Sequence, residues 1–150
     1  MTATGLDWTA VAVPSTLPDV VDDPISYERV IMNPGSTWDY FPGHYDPEYA
    51  REHGQPTIFV NTMHVAGFVD RVATQWAGPC GRVVRRKLIL AASIYAGDTI
   101  TARRSITAKR RDGDRWLIEM HVDVVNQNGE VCCPADVTLD VSKAVRTTRR

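Results

Sequence analysis

The sequence predicts an α+β domain in which an antiparallel sheet curves around one long, buried helix. Two observations carry that expectation. An apolar segment with helical spacing, "PTIFVNTMHVAGFVDRVATQWAGP" (56–79), is followed by four segments that alternate apolar and polar residues. The chain, at 150 residues, has the length of one ordinary domain with room for a real core. A long helix followed by a run of strands is the α+β order.

Residues 1–24 hold Pro14, Pro18 and Pro24 and are expected to form a poorly ordered lead-in. "ISYERVIM" (25–32) opens the ordered domain, expected over 25–142, as a strand or a short helix that "NPGS" interrupts. "DPEYAREHG" (46–54) reads as one short helix: Asp46 is a suitable N-cap, Pro47 sits at the first helical position, and Gly54 ends it. In the long segment, Ile58, Phe59, Val65, Phe68, Val69, Val72 and Trp76 surround most of the helical circumference, so the helix should be buried. Gly78-Pro79 stops it.

"RVVRRKLILAASI" (82–94), "DTITARRSITAKR" (98–110), "RWLIEMHVDVV" (115–125) and "VCCPADVTLDV" (131–141) read as strands. The third is the clearest, with Trp116, Ile118, Met120, Val122 and Val124 on one face. "DGD" (112–114) and "NQNG" (126–129) are hairpin turns. Pro134 removes a ladder donor, which points to an edge strand or a bulge. A sheet of this kind around such a helix is the hotdog architecture. Residues 143–150 are expected to be a basic tail.

A net charge of −1 excludes a global field that would recruit nucleic acid or an anionic membrane. No apolar run approaches the roughly 20 residues that cross a bilayer, and no secretion signal opens the chain, so a cytoplasmic protein is expected. Cys80, Cys132 and Cys133 make no disulfide framework and match no metal spacing; they are expected to be packing residues in a reducing compartment.

The chemistry centres on "STWDYFPGHYDPEYA" (36–50). On a continuous helix Asp39 and His44 would lie roughly 140° apart. Pro42-Gly43 suits the centre of a type II turn, which folds His44 back toward Asp39. A carboxylate and an imidazole around one water form a general acid–base pair usable near neutral pH. The residues alone leave a second reading open, in which Asp39 caps backbone amides and His44 is an ordinary loop histidine.

The stretch "D-Y-F-P-G-H-Y-D-P-E-Y-A" resembles the hydratase motif of the MaoC-like, (R)-specific enoyl-CoA hydratase family. "PTIFVNTMHVAGFVDR" is similar to that family's central helix, and "Y-A-G-D-T-I" (95–100) to its G-D-T turn; the match runs over about residues 18–142. Together, "FPGH", "IFVNTM" and "TQWAGP" look most like small actinobacterial hydratases acting on steroid side-chain CoA thioesters. The resemblance implies that Asp39 and His44 hold the water that adds to C3 of a trans-2-enoyl-CoA. It also implies that a backbone amide at the start of the long helix receives the thioester carbonyl. Where many members have V-H-G-M, this chain has Val60-Asn61-Thr62-Met63, so the amide role passes to Thr62. Asn61, Gly43 and His64 complete the expected substrate-side set. No cofactor beyond the CoA substrate and no metal are implied. The expected assembly is a homodimer or a heteromer with a second MaoC-like chain.

Three histidines and the basic runs have plainer readings. His64 either lines the pocket or sits at a helix or subunit contact; His53 caps the short helix; His121 lies exposed on a strand. The arginines of "RVVRRK" (82–87) and Arg103-Arg104 are read as a solvated face, with CoA-phosphate contact as the alternative.

Overall fold

The computed structural model describes residues 6–143. Five strands form one antiparallel sheet: β1 (Ser15–Asp22), β2 (Arg82–Leu88), β3 (Ile100–Asp112), β4 (Arg115–Val125) and β5 (Val131–Asp140), in the order β1-β3-β4-β5-β2. Three α-helices, α1 (Tyr27–Thr37), α2 (Pro47–Glu52) and α3 (Thr62–Ala77), precede β2, and a single 3-10 turn (Pro42–His44) lies between α1 and α2. The sheet wraps α3, whose Val65, Ala66, Phe68, Val69, Val72, Ala73 and Ala77 are buried. This is the expected hotdog fold.

The core forms where the two periodicities meet. Ile118, Met120, Val122 and Val124 of β4 are each at most 1% exposed, as period-two alternation requires. They pack in one cluster with Val65, Val69 and Val72 of α3. Each such fully buried aliphatic side chain contributes about 1.5–3 kcal/mol relative to exposure. Helix α3 is less enclosed than its composition predicts. Met63, Gly67, Arg71 and Gln75, spaced four apart, form an exposed stripe.

Several boundaries differ from the sequence reading. The lead-in expected to be loose contains β1, paired with β3 through Ser15↔Ile106 and Asp22↔Ile100. Pro18 is tolerated because β1 is an edge strand and its register shifts between Leu17 and Val20. Lys109 Nζ donates to the carbonyls of Trp8 and Val11, at 3.0 and 2.7 Å, tying down the preceding residues as well. "NPGS" does not interrupt residues 25–32: α1 continues through Pro34, with Ser26 as N-cap. Helix α3 starts at Thr62 rather than near residue 56, because Asn61, with extended backbone, caps it and residues 55–61 lie outside any helix. Strand β2 ends at Leu88, not at residue 94. Strand β5 is internal, so Pro134 is not on an edge. Its carbonyl accepts from Ile89 N at 3.1 Å, so its missing donor would point to the side where β2 has just ended. A register shift between β4 and β5 lies beside it. The tail expected beyond Lys143 lies outside the described residues.

Short α2 follows the sequence signals: Asp46 Oδ1 accepts from Glu48 N and Tyr49 N at 2.9 and 3.1 Å, and His53 Nδ1 meets Tyr49 O at 2.8 Å. Cys132 and Cys133 are both buried in the core and Cys80 is exposed; all three are free. Burial pushes the Cys132 thiol up to about 11. No helix among the described residues is long and apolar enough to cross a membrane.

Charge is absorbed locally. Arg104, 8% exposed, donates to Val72 O of α3 at 2.9 Å and to Pro18 O of β1 at 2.6 Å, joining three elements. Arg86 binds the Asp70 carboxylate and Arg82 binds Asp140. Asp140, 6% exposed, also meets Arg115 Nε at 3.3 Å and Ser142, and these partners hold its carboxyl far below the usual carboxylate range despite burial. His121 is half-exposed between Asp136 (Nδ1–Oδ1 2.8 Å) and Asp123 (Nε2–Oδ1 3.2 Å). The hydrogen bond to Asp136 is the largest cause of its raised pKa.

Two pH effects follow from these groups. Asp140's depressed pKa stabilises the fold above the unfolded carboxylate value of about 4, and that stability is lost as pH falls below it. Asp140→Asn is expected to lower unfolding free energy at pH 7 by about 2 kcal/mol in urea titrations, with the gap to wild type narrowing on acidification. His121 has the opposite sign. Its raised pKa contributes stability below about pH 6.5 that is lost as pH rises through the folded value. His121→Gln is expected to change Tm at pH 6 more than at pH 8.5, which thermal melts would read.

Candidate active site

The site is built on the loop between α1 and α2, docked against the extended residues that lead into α3. Helix α1 ends with Trp38 in the left-handed region, φ 59°, and the N–H groups of Trp38 and Asp39 both donate to Pro34 O. That reversal turns Asp39 toward α3. The next reversal is a 3-10 turn, closed by His44 N donating to Phe41 O at 3.0 Å. The expected Phe41-to-His44 reversal is therefore present with different dihedrals, and Gly43 does not adopt the positive φ of a type II turn. Gly43 matters sterically. A Cβ there would lie 2.6 Å from the Phe41 ring and 2.9 Å from the Phe59 ring.

His44 is 7% exposed and held on several sides. Phe59 O accepts a hydrogen bond from Nδ1 at 2.8 Å, so Nδ1 carries a proton and Nε2 is the ring nitrogen turned toward Asp39. The rings of Phe41 and Phe59 approach edge-on, with centroids at 5.4 and 5.0 Å. Phe59 N donates to Gly43 O at 3.2 Å, so both backbone polar groups of Phe59 clasp the loop. Nε2 stands 3.4 Å from Asp39 Oδ2. That exceeds the usual hydrogen-bond length of about 2.9 Å and leaves both atoms available to one water.

A cavity of about 320 Å³ opens beside His44, lined chiefly by Phe59, Val60, Thr62, Val65 and the 90–94 segment. Its walls are apolar apart from His44, Thr62 and Ser93. Thr62 is the first residue of α3, and its N–H belongs to the first-turn amides that no helix carbonyl satisfies. The helix N-terminus places partial positive charge there.

The structure places His44 and Thr62 on the cavity wall and sets Asp39 beside His44, while Asp39 and Gly43 themselves do not line the cavity. Asn61 is adjacent but 1% exposed and does not line the cavity; it bonds to Asp39 and caps α3. His64 does not reach this cavity. It faces a separate hollow between α1 and α3, near Asp22, Arg29 and Arg71, and burial, followed by the charge of Arg29, lowers its pKa. Sequence reasoning missed the Phe59 carbonyl, Thr37, and residues 90–94. Backbone acceptors leave no signature in side-chain patterns. The 89–94 stretch did carry one signal, in that "ILAASI" abandons alternation after Leu88. The described residues contain no cluster of three or more His, Cys, Asp or Glu placed to hold a metal ion.

The MaoC like domain model matches residues 11–128 of the chain. The chain belongs to the MaoC-like family. A curated relative, the 3-oxo-4,17-pregnadiene-20-carboxyl-CoA hydratase beta subunit of Mycobacterium tuberculosis, is 37% identical over 73 residues. That alignment covers 49% of this chain and 57% of the relative's length. The crystal structure of the ChsH1-ChsH2 complex from Mycobacterium tuberculosis matches with a TM-score of 0.76 at 31% identity, covering 86% of this chain and 97% of that one. The (R)-hydratase from A. caviae involved in PHA biosynthesis matches with a TM-score of 0.75, over 87% of this chain and 96% of that one, at 19% identity. At that identity the likeness is one of fold. As a MaoC-like chain, the protein shares its architecture with hydratases.

The packing at Gly43 makes a direct expectation. Gly43→Ala forces its methyl group into the Phe41 and Phe59 rings and is expected to cost about 1–3 kcal/mol. It should also break the His44 Nδ1–Phe59 O hydrogen bond, read as loss of a protected downfield imidazole N–H resonance in NMR spectra.

Proposed function

We propose that the chain hydrates a trans-2-enoyl-CoA to the 3(R)-hydroxyacyl-CoA, or catalyses the reverse dehydration. The observation that carries this is the 3.4 Å approach of Asp39 Oδ2 to His44 Nε2, with His44 on the wall of a cavity at a helix N-terminus. A water seated to one side of the pair, within hydrogen-bond reach of both atoms, donates one hydrogen to each, which leaves an oxygen lone pair for attack on C3. The C3–O bond forms while the C2=C3 π electrons move toward the thioester oxygen. The Thr62 N–H and the positive end of α3 stabilise that developing enolate. The pair removes one proton from the water and returns one to C2, completing the hydration.

Small side chains, Ala91, Ala92 and Ser93, form one part of the cavity wall, and the exposed Leu90 and Ile89 continue an apolar surface outward. A steroid-derived side-chain thioester agrees with the substrate for which the curated relative is named. That relative is named a beta subunit, and the solved neighbour is a complex of two differently named chains. We therefore take the assembly to be a heteromer with a second MaoC-like chain, this chain supplying Asp39 and His44 and its partner enlarging the acyl site. Homodimerisation is the alternative arrangement. Three free cysteines suit a cytoplasmic, reducing setting. Of the basic runs, Arg82, Arg86 and Arg104 are engaged within the chain, which leaves the exposed Arg85, Lys87 and Arg103 as the groups open to CoA phosphate.

The test is a panel of enoyl-CoA esters from short linear to steroidal, assayed with the chain alone and with the MaoC-like product of a neighbouring gene. Asp39→Asn and His44→Ala are each expected to lower kcat by about 10²–10⁴-fold. Near-normal hydration by both variants would refute the assignment. Release of free CoA without loss of the enoyl absorbance would identify a thioesterase instead.

A further inference from the structure

Asn61 is a buried side chain whose hydrogen bonds exceed what capping requires. Its Oδ1 accepts from His64 N at 3.0 Å, the ordinary N-cap bond of α3. That bond fixes the amide orientation, so Nδ2 faces the other way. One Nδ2 hydrogen goes to Thr37 Oγ1 at 3.0 Å, the other to Asp39 Oδ2 at 3.1 Å. Thr37 in turn donates to Asn33 O at 2.9 Å, which leaves its oxygen lone pair for Asn61. The oxygen that Asn61 grips, Oδ2, is the one 3.4 Å from His44 Nε2.

Helix capping accounts for Oδ1 alone, and Ser, Thr or Asp would do it comparably. The Nδ2 bonds need a side chain that accepts in one direction and donates twice in the other. Among the N-cap residues only Asn has that pattern. Asp39 needs such a support. Its side chain is 39% exposed, against 9% for His44, so packing alone does not choose its rotamer.

We infer that Asn61 is a positioning residue for the reaction: its amide holds Asp39 Oδ2 in register with His44 Nε2 and couples that register to the first turn of α3. The carboxylate, the imidazole and the oxyanion-side amides are then set by one short stretch, Phe59 to Thr62. Phe59 orients His44, Asn61 orients Asp39, and Thr62 carries the amide. The inference rests on the reading of Asp39 and His44 as the water-holding pair.

Asn61→Ser separates the two roles, because serine keeps the capping oxygen and lacks the amide donor. The expected result is a Tm close to wild type, KM within about 2-fold and kcat lowered about 10–100-fold, the scale set by small misplacement of a reacting group. Combined with Asp39→Asn, the Ser substitution should add almost nothing, since both act on one carboxylate. Asn61→Thr is the second capping variant and should behave alike; Asn61→Ala should lose Tm as well. Wild-type kcat in the Ser or Thr variant overturns the inference, as does a loss that multiplies in full with Asp39→Asn. Normal turnover by Asp39→Asn itself would defeat the reading of the site, and the inference with it.

Discussion

The hydrogen bond from His44 Nδ1 to Phe59 O, 2.8 Å long, is the interaction on which the site depends. It is possible only because the 41–44 loop lies directly on the extended residues before α3, and that contact exists because Gly43 has no side chain. The bond puts a proton on Nδ1 and turns Nε2 toward Asp39. An imidazole that rotated freely could not hold a water against a carboxylate at a fixed place. The sheet contributes from a distance. It closes over α3, and α3 begins where Asn61 caps it, so the N-terminal amides lie one residue from the atoms that hold the loop.

Much of the remaining polar chemistry serves the scaffold. Arg104 ties β1, β3 and α3 by donating to carbonyls, and Asp140 gathers Arg82, Arg115 and Ser142 at the end of the sheet. These groups are costly to bury unless satisfied, and the structure satisfies them with neighbours far apart in sequence. The charged runs in β2 and β3 therefore differ from each other in three dimensions. The β2 run is the solvated face expected of it, with Arg82, Arg85, Arg86 and Lys87 exposed and Arg82 and Arg86 paired to carboxylates; Arg104 of β3 is instead buried within the fold.

The hotdog class was legible because its signal is periodicity, and periodicity survives without knowledge of neighbours. Strand β4 alternates from Trp116 to Val124, and the apolar positions from Val65 to Trp76 recur at helical spacing. Boundaries were less legible where capping and sheet edges decide them. Asn61 starts α3 six residues after the apolar run begins, because its side chain bonds His64 N and Thr37 at once. The 15–22 stretch looks like a proline-broken lead-in, yet it becomes β1 because β3 offers it an edge. Pro34 looked like an end to the first ordered segment, and α1 runs through it.

Of the candidate site, the sequence by itself determined the types and order of the groups: an acid, a turn, a histidine and a capped, apolar helix. Those follow from residue chemistry and local geometry, which act over a few positions. Only the tertiary structure decided which atoms face one another. It placed Phe59 O on His44, aimed Asn61 at Asp39, and turned His64 to a different hollow from the one beside His44. The reason is physical. Each of these is a contact between residues 15 or more positions apart, or a choice between two faces of one helix, and both are settled by how the core packs.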